Sequence, residues 1–252
     1  MTLDISGKRV LITGASSGLG AHFAQVMARE GARVAMAARR IDRLEVAAGA
    51  LREAGADVTT IALDVACPDS IDQAVNGLVG LWGGIDVLVN NAGVTRTKPA
   101  MDYNVADFDD IVDVNLRGAF LVAQRVGRAM RDQAGGSIVN VASILGLRQA
   151  GQVASYAISK AGIVQLTKVL GLEWARHGIR VNALAPGYLE TELNEEFWQT
   201  AAGQAMIKRI PQRRLGALQD LDAPLLLLSS EASSYMTGAV IVVDGGHTVS
   251  TL

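Results

Sequence analysis

Short runs of consecutive apolar residues alternate along the chain with longer stretches in which apolar residues recur every three or four positions. The short runs are typical of strands buried on both faces, and the longer stretches are typical of helices with one buried face. This pattern predicts strands over residues 8–14, 32–38, 57–65, 86–93, 136–143, 180–187 and 239–246, and helices over residues 18–30, 42–54, 69–82, 107–131, 155–177 and 219–230.

The alternation of strands and helices predicts the fold class. Continuous apolar strands joined by helices form a parallel sheet with helices on both faces. No linker or low-complexity run interrupts the alternation, so we predict an α/β protein with a single doubly wound domain over residues 1–252 and a variable segment at about 188–215. Pro224 falls within the last predicted helix and would remove a hydrogen bond there, so this helix is expected to kink or to begin later.

Composition narrows the classes of function. Half of the 252 residues are hydrophobic, and the formal net charge is −2 with acidic and basic residues interspersed. A nucleic-acid-binding or membrane-surface protein would usually carry a basic face, so we expect neither partner. No apolar run approaches the length of about 18 residues that spans a bilayer.

Cysteine and histidine usage points to a cytoplasmic protein without a bound metal. Cys67 is the only cysteine, so no intrachain disulfide can form, and the first residues lack the shape of a signal peptide. The three histidines lie far apart, and no Cys/His cluster has metal-ligand spacing. We therefore expect a cytoplasmic location and no metal.

The segment TGASSGLG, residues 13–20, follows the first strand and opens the first helix. Gly14 permits a tight turn, Gly18 lets the backbone approach a ligand closely, and Gly20 lets the helix pack against the sheet. The helix N-terminus then offers free N–H groups and a positive dipole to a phosphate. The spacing Gly-x-x-x-Gly-x-Gly predicts a dinucleotide site, and a turn whose glycines serve packing alone is the alternative.

The end of the second strand bears on the choice of cofactor. Ala38 occupies the position that usually carries an acid for the adenosine ribose, and Arg39 and Arg40 follow it. A planar guanidinium suits a 2′-phosphate, and Ser16 or Ser17 would add a hydroxyl to it. We therefore predict NADP(H) as the preferred cofactor, with NAD(H) as the alternative; ordinary solvated arginines are the other interpretation.

A tyrosine and a lysine lie four residues apart on the helix predicted over 155–177. If the stretch is helical, Tyr156 and Lys160 share one face, one turn apart. A fixed ammonium beside a phenol would make the phenolic proton mobile. A pair on an exposed surface is the alternative, and the two residues alone do not decide between them.

Together with other segments, in order along nearly the whole chain, these motifs resemble the short-chain dehydrogenase/reductase family, in particular its NADP-preferring carbonyl and 3-oxoacyl reductases. The resemblance implies a Rossmann-type seven-stranded parallel sheet in the order 3-2-1-4-5-6-7, and a homotetramer or homodimer that pairs the two long helices. The other matching segments are LDV (63–65), NNAG (90–93), Asn115 in DVNLRG, Ser143 in NVASILG, YAISK (156–160), APGYLET (185–191) and VDGG (243–246).

The resemblance also implies four catalytic residues. Tyr156 would give a proton to a carbonyl oxygen, its pKa lowered from about 10 by the positive charges of Lys160 and an oxidised nicotinamide. Ser143 would donate to the same oxygen and stabilise its developing charge. Asn115, a poor mid-helix residue, would lie at a local kink and hold a water that relays protons from Lys160; a satisfied polar residue at a helix contact is the alternative.

The same resemblance implies binding residues, and the clustered apolar and aromatic side chains after the sixth strand predict a lid over the nicotinamide, formed by Leu189, Leu193, Phe197 and Trp198. Ordinary packing or a subunit contact is the alternative for this lid, and Arg148 would meet a polar substrate tail or remain solvated. The implied cofactor-binding residues are Gly14, Ser16, Ser17, Gly18, Leu19, Gly20, Arg39, Arg40, Asp64, Val65, Asn91, Ala92, Gly93, Tyr156, Lys160, Pro186, Gly187, Leu189 and Thr191, and the implied substrate-binding residues are Ser143, Leu145, Gln149, Tyr156, Leu193 and Trp198.

We therefore expect an NADP(H)-dependent oxidoreductase that reversibly transfers hydride between nicotinamide and the ketone or secondary alcohol of a mostly apolar, small-to-medium substrate. A 3-oxoacyl-thioester reductase acting on acyl-carrier protein or coenzyme A is the alternative, weakened by Leu172 at a position where such reductases often carry arginine. A non-catalytic NADP-binding regulatory protein is the alternative from another class, and the intact catalytic set argues against it.

Overall fold

The computed structural model describes residues 3–133, 135–190 and 195–250. Within these ranges seven strands form one parallel sheet in the order β3-β2-β1-β4-β5-β6-β7, which confirms the expected topology. The strands are β1 (Arg9–Thr13), β2 (Arg33–Ala38), β3 (Val58–Ala62), β4 (Val87–Asn90), β5 (Gly136–Val141), β6 (Ile179–Pro186) and β7 (Val240–Val243).

Helices connect the strands and cover both faces of the sheet. In the described part of the chain, none of them is both long and apolar enough to cross a membrane. They are α1 (Gly18–Arg29), α2 (Ile41–Glu53), α3 (Pro68–Trp82), α4 (Val105–Val112), α5 (Ala119–Asp132), α6 (Ala154–Trp174), α7 (Glu195–Gln199), α8 (Ala201–Ile207) and α9 (Asp222–Ser229).

Two large hydrophobic cores lie on opposite faces of the sheet. Val10 and Ile12 of β1 belong to the core that includes Phe23 of α1, whereas Leu11 between them belongs to the core that includes Leu78 of α3. Successive strand residues point to opposite faces, so both faces need apolar side chains. The continuous apolar runs in the sequence follow directly from this two-sided burial.

The helix predicted over 107–131 is interrupted in the structure. α4 ends at Val112, residues Asp113–Gly118 form a π-helical turn, and α5 begins at Ala119. Asn115 lies in the middle of this turn, where the resemblance implied a local kink. The turn also brings Gly118 close to the loop after β3, because a Cβ on Gly118 would lie 2.7 Å from the Val65 carbonyl oxygen.

Pro224 is accommodated by a later helix start, one of the two outcomes expected. A 3₁₀ turn spans Leu218–Leu221, and α9 begins only at Asp222. Pro224 therefore lies in the first turn of α9, where a backbone N–H has no partner within the helix and its loss costs little.

The carboxyl ends of the central strands meet at one edge of the sheet. In open parallel sheets the strand order reverses beside the first strand, and the loops at the carboxyl ends form a crevice there. Here β1 lies between β2 and β4, so the loops that follow these strands border the same crevice.

Candidate active site

One cavity of about 540 Å³ follows this carboxyl edge. It is bordered by the loops after the first six strands, and it joins the glycine-rich turn to the predicted catalytic side chains. Of the predicted site residues, it is lined by Gly14, Ser16, Ser17, Gly18, Leu19, Arg39, Arg40, Asp64, Val65, Asn91, Ala92, Gly93, Ser143, Leu145, Tyr156, Lys160, Pro186, Gly187 and Leu189. Thr191 and Leu193 lie outside the described residues.

The three glycines of the first turn have different roles. A Cβ on Gly14 would lie 2.8 Å from the Ala92 Cα, and one on Gly20 would lie 2.6 Å from the Asn91 Nδ2, so packing requires both glycines. Gly18 has a φ of +55° and only open space where its side chain would be. The turn therefore packs tightly against the sheet and still leaves room beside the N-terminus of α1.

Asn91 fixes the glycine-rich turn with its side chain. Its Nδ2 donates to the carbonyl oxygens of Thr13 and Gly14 at 3.0 and 3.3 Å. In return, the Thr13 hydroxyl oxygen accepts from the backbone N–H groups of Asn91 and Ala92, both at 3.0 Å. These bonds join the loops after β1 and β4 into one rigid floor for the cavity.

At the end of the cavity beside the carboxyl end of β2, positive charges outnumber negative ones. Arg39 and Arg40 are exposed and form no ion pair with any residue in the described ranges. Asp64 is the one carboxylate among the described lining residues, and its Oδ1 already accepts from the Ala66 N–H at 3.0 Å. A doubly charged phosphate fits this end of the cavity electrostatically.

Lys160 borders the cavity and is almost fully buried. Its Nζ donates to the Val141 carbonyl oxygen at 2.6 Å and lies 5.7 Å from the centre of the Tyr156 ring. Burial lowers the pKa of Lys160 to about 8. The ammonium is therefore held by one neutral acceptor and is close to its titration point near physiological pH.

Tyr156 and Ser143 face the cavity together. Burial raises the pKa of the Tyr156 phenol, and the neighbouring Ser143 hydroxyl lowers it by a smaller amount. Burial thus outweighs the effect of the hydroxyl, and the depression expected from the charges of Lys160 and an oxidised nicotinamide stays a prediction. Ser143 also opens a short 3₁₀ turn, where its Oγ accepts from the Leu145 N–H at 3.1 Å.

The side chain of Asn115 is fully bonded to protein groups. Its Oδ1 accepts from the Val94 N–H at 2.7 Å, and its Nδ2 donates to the Val94 carbonyl oxygen at 2.8 Å and to the Ser159 hydroxyl at 3.1 Å. The side chain thus fits the alternative role of a satisfied polar residue that fastens the loop after β4. The relay of protons through a water stays a prediction.

Ser159 is a site residue that the sequence analysis missed. It is fully buried, and its hydroxyl donates to the Tyr156 carbonyl oxygen at 2.7 Å while it accepts from Asn115. The signal in the sequence was a serine three residues after Tyr156 and next to Lys160. Its geometry connects the π-helical turn to the helix turn that carries the tyrosine.

The substrate end of the cavity differs from the expected lid. Trp198 is buried but does not line the cavity, because its ring packs edge-on against Tyr188 at 5.5 Å between centroids. Phe197 is 43% exposed, and Gln149 is exposed outside the cavity. Tyr188, absent from the predicted set, lines the cavity instead.

Arg148 has neither of its expected roles. Its guanidinium donates to the carbonyl oxygen of His247 and, at 3.1 Å, to the hydroxyl of Ser250. It therefore fixes the C-terminal turn rather than meeting a substrate or remaining solvated.

Among residues 3–133, 135–190 and 195–250, no group of three or more His, Cys, Asp or Glu side chains has an arrangement that would hold a metal.

Comparison with known proteins gives matches along almost the whole chain. The family model described as enoyl-(acyl carrier protein) reductase matches residues 14–248. The D-threitol dehydrogenase of Mycolicibacterium smegmatis is 38% identical over 245 residues, which cover 97% of this chain and 94% of that protein. The 3-oxoacyl-(acyl-carrier-protein) reductase of Thermotoga maritima is 40% identical over 244 residues, covering 97% of this chain and 99% of that protein.

Solved structures agree with these matches. A gluconate 5-dehydrogenase from Burkholderia cenocepacia, crystallised in complex with NADP and tartrate, superposes with a TM-score of 0.95. It is 35% identical to this chain, and the alignment covers 99% of this chain and 98% of that one.

Proposed function

Because the chain belongs to the short-chain dehydrogenase/reductase family, and is thus an oxidoreductase acting on CH–OH and C=O groups, we propose that it reversibly transfers hydride between NADP(H) and a ketone or secondary alcohol. One observation carries the proposal. The glycine-rich turn and the side chains of Ser143, Tyr156 and Lys160 border a single continuous cavity.

The lining residues fit a phosphorylated dinucleotide. The N-terminus of α1 and the glycine-rich turn would receive the pyrophosphate. Arg39 and Arg40, with Ser16 or Ser17, would bind the 2′-phosphate, and Asp64 would accept from the adenine amino group. NADP in the related gluconate 5-dehydrogenase supports this choice, and NAD(H) would bind without the contacts to the 2′-phosphate.

The other end of the cofactor would lie over Lys160. Lys160 would hold the nicotinamide ribose, and the backbone around Gly187 and Leu189 would hold the carboxamide. The bound nicotinamide supplies or accepts the hydride. The residues of the chain then orient the substrate and move its proton.

Proton transfer would fall to Tyr156. When a carbonyl is reduced, its oxygen gains negative charge, which the Ser143 hydroxyl stabilises by donating a hydrogen bond. The Tyr156 hydroxyl donates the proton to the same oxygen, and in the reverse direction it accepts the proton. A positive charge beside the buried phenol lowers its pKa and so offsets the effect of burial.

The wall of the substrate end favours a small-to-medium substrate with an apolar body. Val94, Leu145 and Leu189 contribute apolar side chains to the lining of the cavity. A second candidate, a 3-oxoacyl-thioester reductase, is favoured by the 40% identity to the Thermotoga maritima enzyme. The relatives named for threitol and gluconate favour a polyhydroxylated compound.

We propose further that residues 1–252 form one cytoplasmic domain that assembles as a homotetramer or homodimer. Apolar side chains on two long helices support the assembly, since Phe120 of α5 is 36% exposed and Leu172 of α6 is 82% exposed. Burying such side chains between subunits would remove them from water.

Oxidation of NADPH with a panel of ketones and acetoacetyl thioesters tests the function. We expect turnover, and we expect Tyr156→Phe to lower kcat by about 10²-fold or more, since the proton donor is lost. Tyr235→Phe is the matched control, because Tyr235 is fully exposed. Unchanged turnover in Tyr156→Phe would refute the assigned role, and a clear preference for thioesters would favour the second candidate.

A further inference from the structure

Tyr188 follows the end of β6 and borders the cavity that Ser143 and Tyr156 also line. Its ring is held from two directions. The centroid of the Trp198 ring lies 5.5 Å from that of Tyr188, with 66° between the ring planes. The centroid of the His247 ring lies 5.4 Å away, with 46° between the planes. Two aromatic neighbours therefore fix the direction of the phenol.

The neighbours of Tyr188 are themselves anchored. The turn that carries His247 is held by Asp244, which accepts from the backbone N–H groups of Gly246 and Thr248 at 2.8 and 2.6 Å. Arg148 holds the same turn through the His247 carbonyl oxygen. The phenol is thus oriented by contacts with well-fixed groups and has little freedom to turn away.

The Tyr188 hydroxyl has no hydrogen-bond partner among the described residues. Its backbone carbonyl oxygen accepts from the Gly216 N–H at 2.9 Å, but no side-chain bond is formed. A half-buried phenol that borders a cavity usually finds a partner for its hydroxyl. Here that partner would be a molecule in the cavity.

The cations near this end of the cavity are already bonded to protein groups, since Arg148, whose charge reaches Tyr188, donates to the His247 carbonyl oxygen and the Ser250 hydroxyl. Arg96 is paired with Asp107 and with Asp110 at 3.5 Å, and Lys98 is paired with Asp107 at 2.5 Å. Among the described lining residues at this end, Lys160 is the one charged group. The ligand atom that meets Tyr188 is therefore better matched by a neutral oxygen than by a carboxylate.

We propose that the Tyr188 hydroxyl binds a second oxygen atom of the substrate, so that the preferred substrates are neutral diols, hydroxyketones or diones rather than monofunctional alcohols and ketones. This inference rests on the proposed function. Tyr188 is then a specificity-determining residue: Ser143 and Tyr156 act on the reacting oxygen, and Tyr188 selects for the other one.

The test compares alcohols that share a carbon skeleton and differ by one hydroxyl: 2-butanol with 2,3-butanediol, and cyclohexanol with the three cyclohexanediols. For at least one diol, we expect kcat/KM with NADP⁺ to exceed that of the matching monohydroxy alcohol by about three- to tenfold, the effect of a single hydrogen bond. This gain comes in addition to the twofold statistical factor that arises because a diol has two hydroxyls that can react. In Tyr188→Phe this ratio should fall to the statistical factor. The matched control, Tyr235→Phe, changes a fully exposed tyrosine and should keep the wild-type ratio.

The inference is overturned if no diol is preferred, or if the preference survives in Tyr188→Phe. Failure of every pair while simple ketones are reduced with NADPH would also overturn it and would leave the proposed function intact. Absence of turnover with alcohols, ketones and thioesters alike would instead contradict the proposed function itself. Thermal unfolding of both variants checks that the loss of one oxygen leaves the fold unchanged.

Discussion

Lys160 shows how one buried charge links stability to the site. Its buried ammonium donates to the Val141 carbonyl oxygen, and burial lowers its pKa from 10.5 to about 8. A lysine with a depressed pKa destabilises the folded state wherever it is protonated. This cost is complete below pH 8 and disappears as the pH rises toward 10.5, because the unfolded chain then also loses its proton.

We therefore predict that the titration of Lys160 raises the free energy of unfolding of the cofactor-free protein between pH 8 and 10.5, and that Lys160→Met lacks this contribution. The difference in unfolding free energy between wild type and variant should change by roughly 3 kcal/mol across this range, because each unit of pKa depression corresponds to about 1.4 kcal/mol. Urea unfolding at several pH values measures it. A difference that is flat with pH would show that Lys160 titrates normally in the folded protein.

Ser159 gives a second prediction at this scale. Its hydroxyl bridges Asn115 and the Tyr156 carbonyl oxygen, so Ser159→Ala should loosen the turn that carries the tyrosine. We expect kcat to fall about three- to tenfold, the effect of one hydrogen bond, with the KM for NADPH little changed. Steady-state kinetics with the best ketone of the panel measures both parameters.

Ser229→Ala is the matched control for Ser159→Ala. Ser229 is also buried in a helix, its hydroxyl donates to the Leu225 carbonyl oxygen at 2.8 Å, and it does not line the cavity. Both variants should lose a similar amount of stability, about 1 kcal/mol. Equal kcat values in the two variants would mean that Ser159 supports the fold and not the position of Tyr156.

At the scale of elements, the strands and most helices follow from the hydrophobic pattern, but the break at Asn115 does not. Apolar residues continue at helical spacing through Ile111, Val122 and Val126, so the pattern indicates one helix. The extra residue of a π-helical turn is set by the bonds of the Asn115 side chain to Val94. Such a bond joins segments distant in sequence and leaves no periodic signal.

The segment between β6 and β7 differs most from its sequence-based prediction. Its aromatic residues indicated a lid, yet Trp198 of α7 is buried against Tyr188, and Leu189 is buried in a short bridge with Gly216. Apolar residues in a loop serve packing as readily as binding, and composition cannot separate the two roles. Only the contacts show that Tyr188, rather than Trp198, faces the cavity.

The end of β2 carries the prediction on cofactor choice. Arg39 borders the cavity without an ion-pair partner in the described residues, so its charge is available to a 2′-phosphate. We predict that Arg39→Ala raises the KM for NADPH about tenfold, as expected for loss of one charge-assisted hydrogen bond, and changes the KM for NADH little. Initial rates with both cofactors at a saturating ketone concentration measure the two values.

Arg43→Ala controls for the general loss of positive charge. Arg43 is exposed on α2, one turn from Arg39 along the chain, and does not line the cavity. This variant should leave both KM values near those of the wild type. An unchanged ratio of the two KM values in Arg39→Ala would contradict the preference for NADP(H).

At the scale of the whole molecule, the two edges of the sheet have different roles. The carboxyl edge holds the cavity. At the amino edge, Arg9 of β1 donates from Nε and Nη2 to both carboxylate oxygens of Asp86 at 2.8 and 2.6 Å, and Gln133 bonds to the Ile85 backbone at 3.1 and 2.7 Å. The alternating pattern predicts these layers, but it cannot predict which charged residues join neighbouring strands.

A substitution at the amino edge should therefore change the stability of the fold and leave cofactor binding at the carboxyl edge unchanged. Asp86 tests this expectation. Burial raises the pKa of Asp86, but the hydrogen bonds and charge of Arg9 outweigh it and hold the pKa below its ordinary value. The pair thus stabilises the fold above the usual carboxyl range, and the stabilisation is lost as the pH falls through the depressed pKa. Asp86→Asn should lower the free energy of unfolding at pH 7 by about 2 kcal/mol, with a smaller difference at pH 3, and should keep the wild-type affinity for NADPH.

The matched control is Glu231→Gln, which breaks the exposed ion pair with Lys8 and should lower the free energy of unfolding by less than about 1 kcal/mol. Weakened NADPH binding in a folded Asp86→Asn protein would show that the amino edge also shapes the cavity.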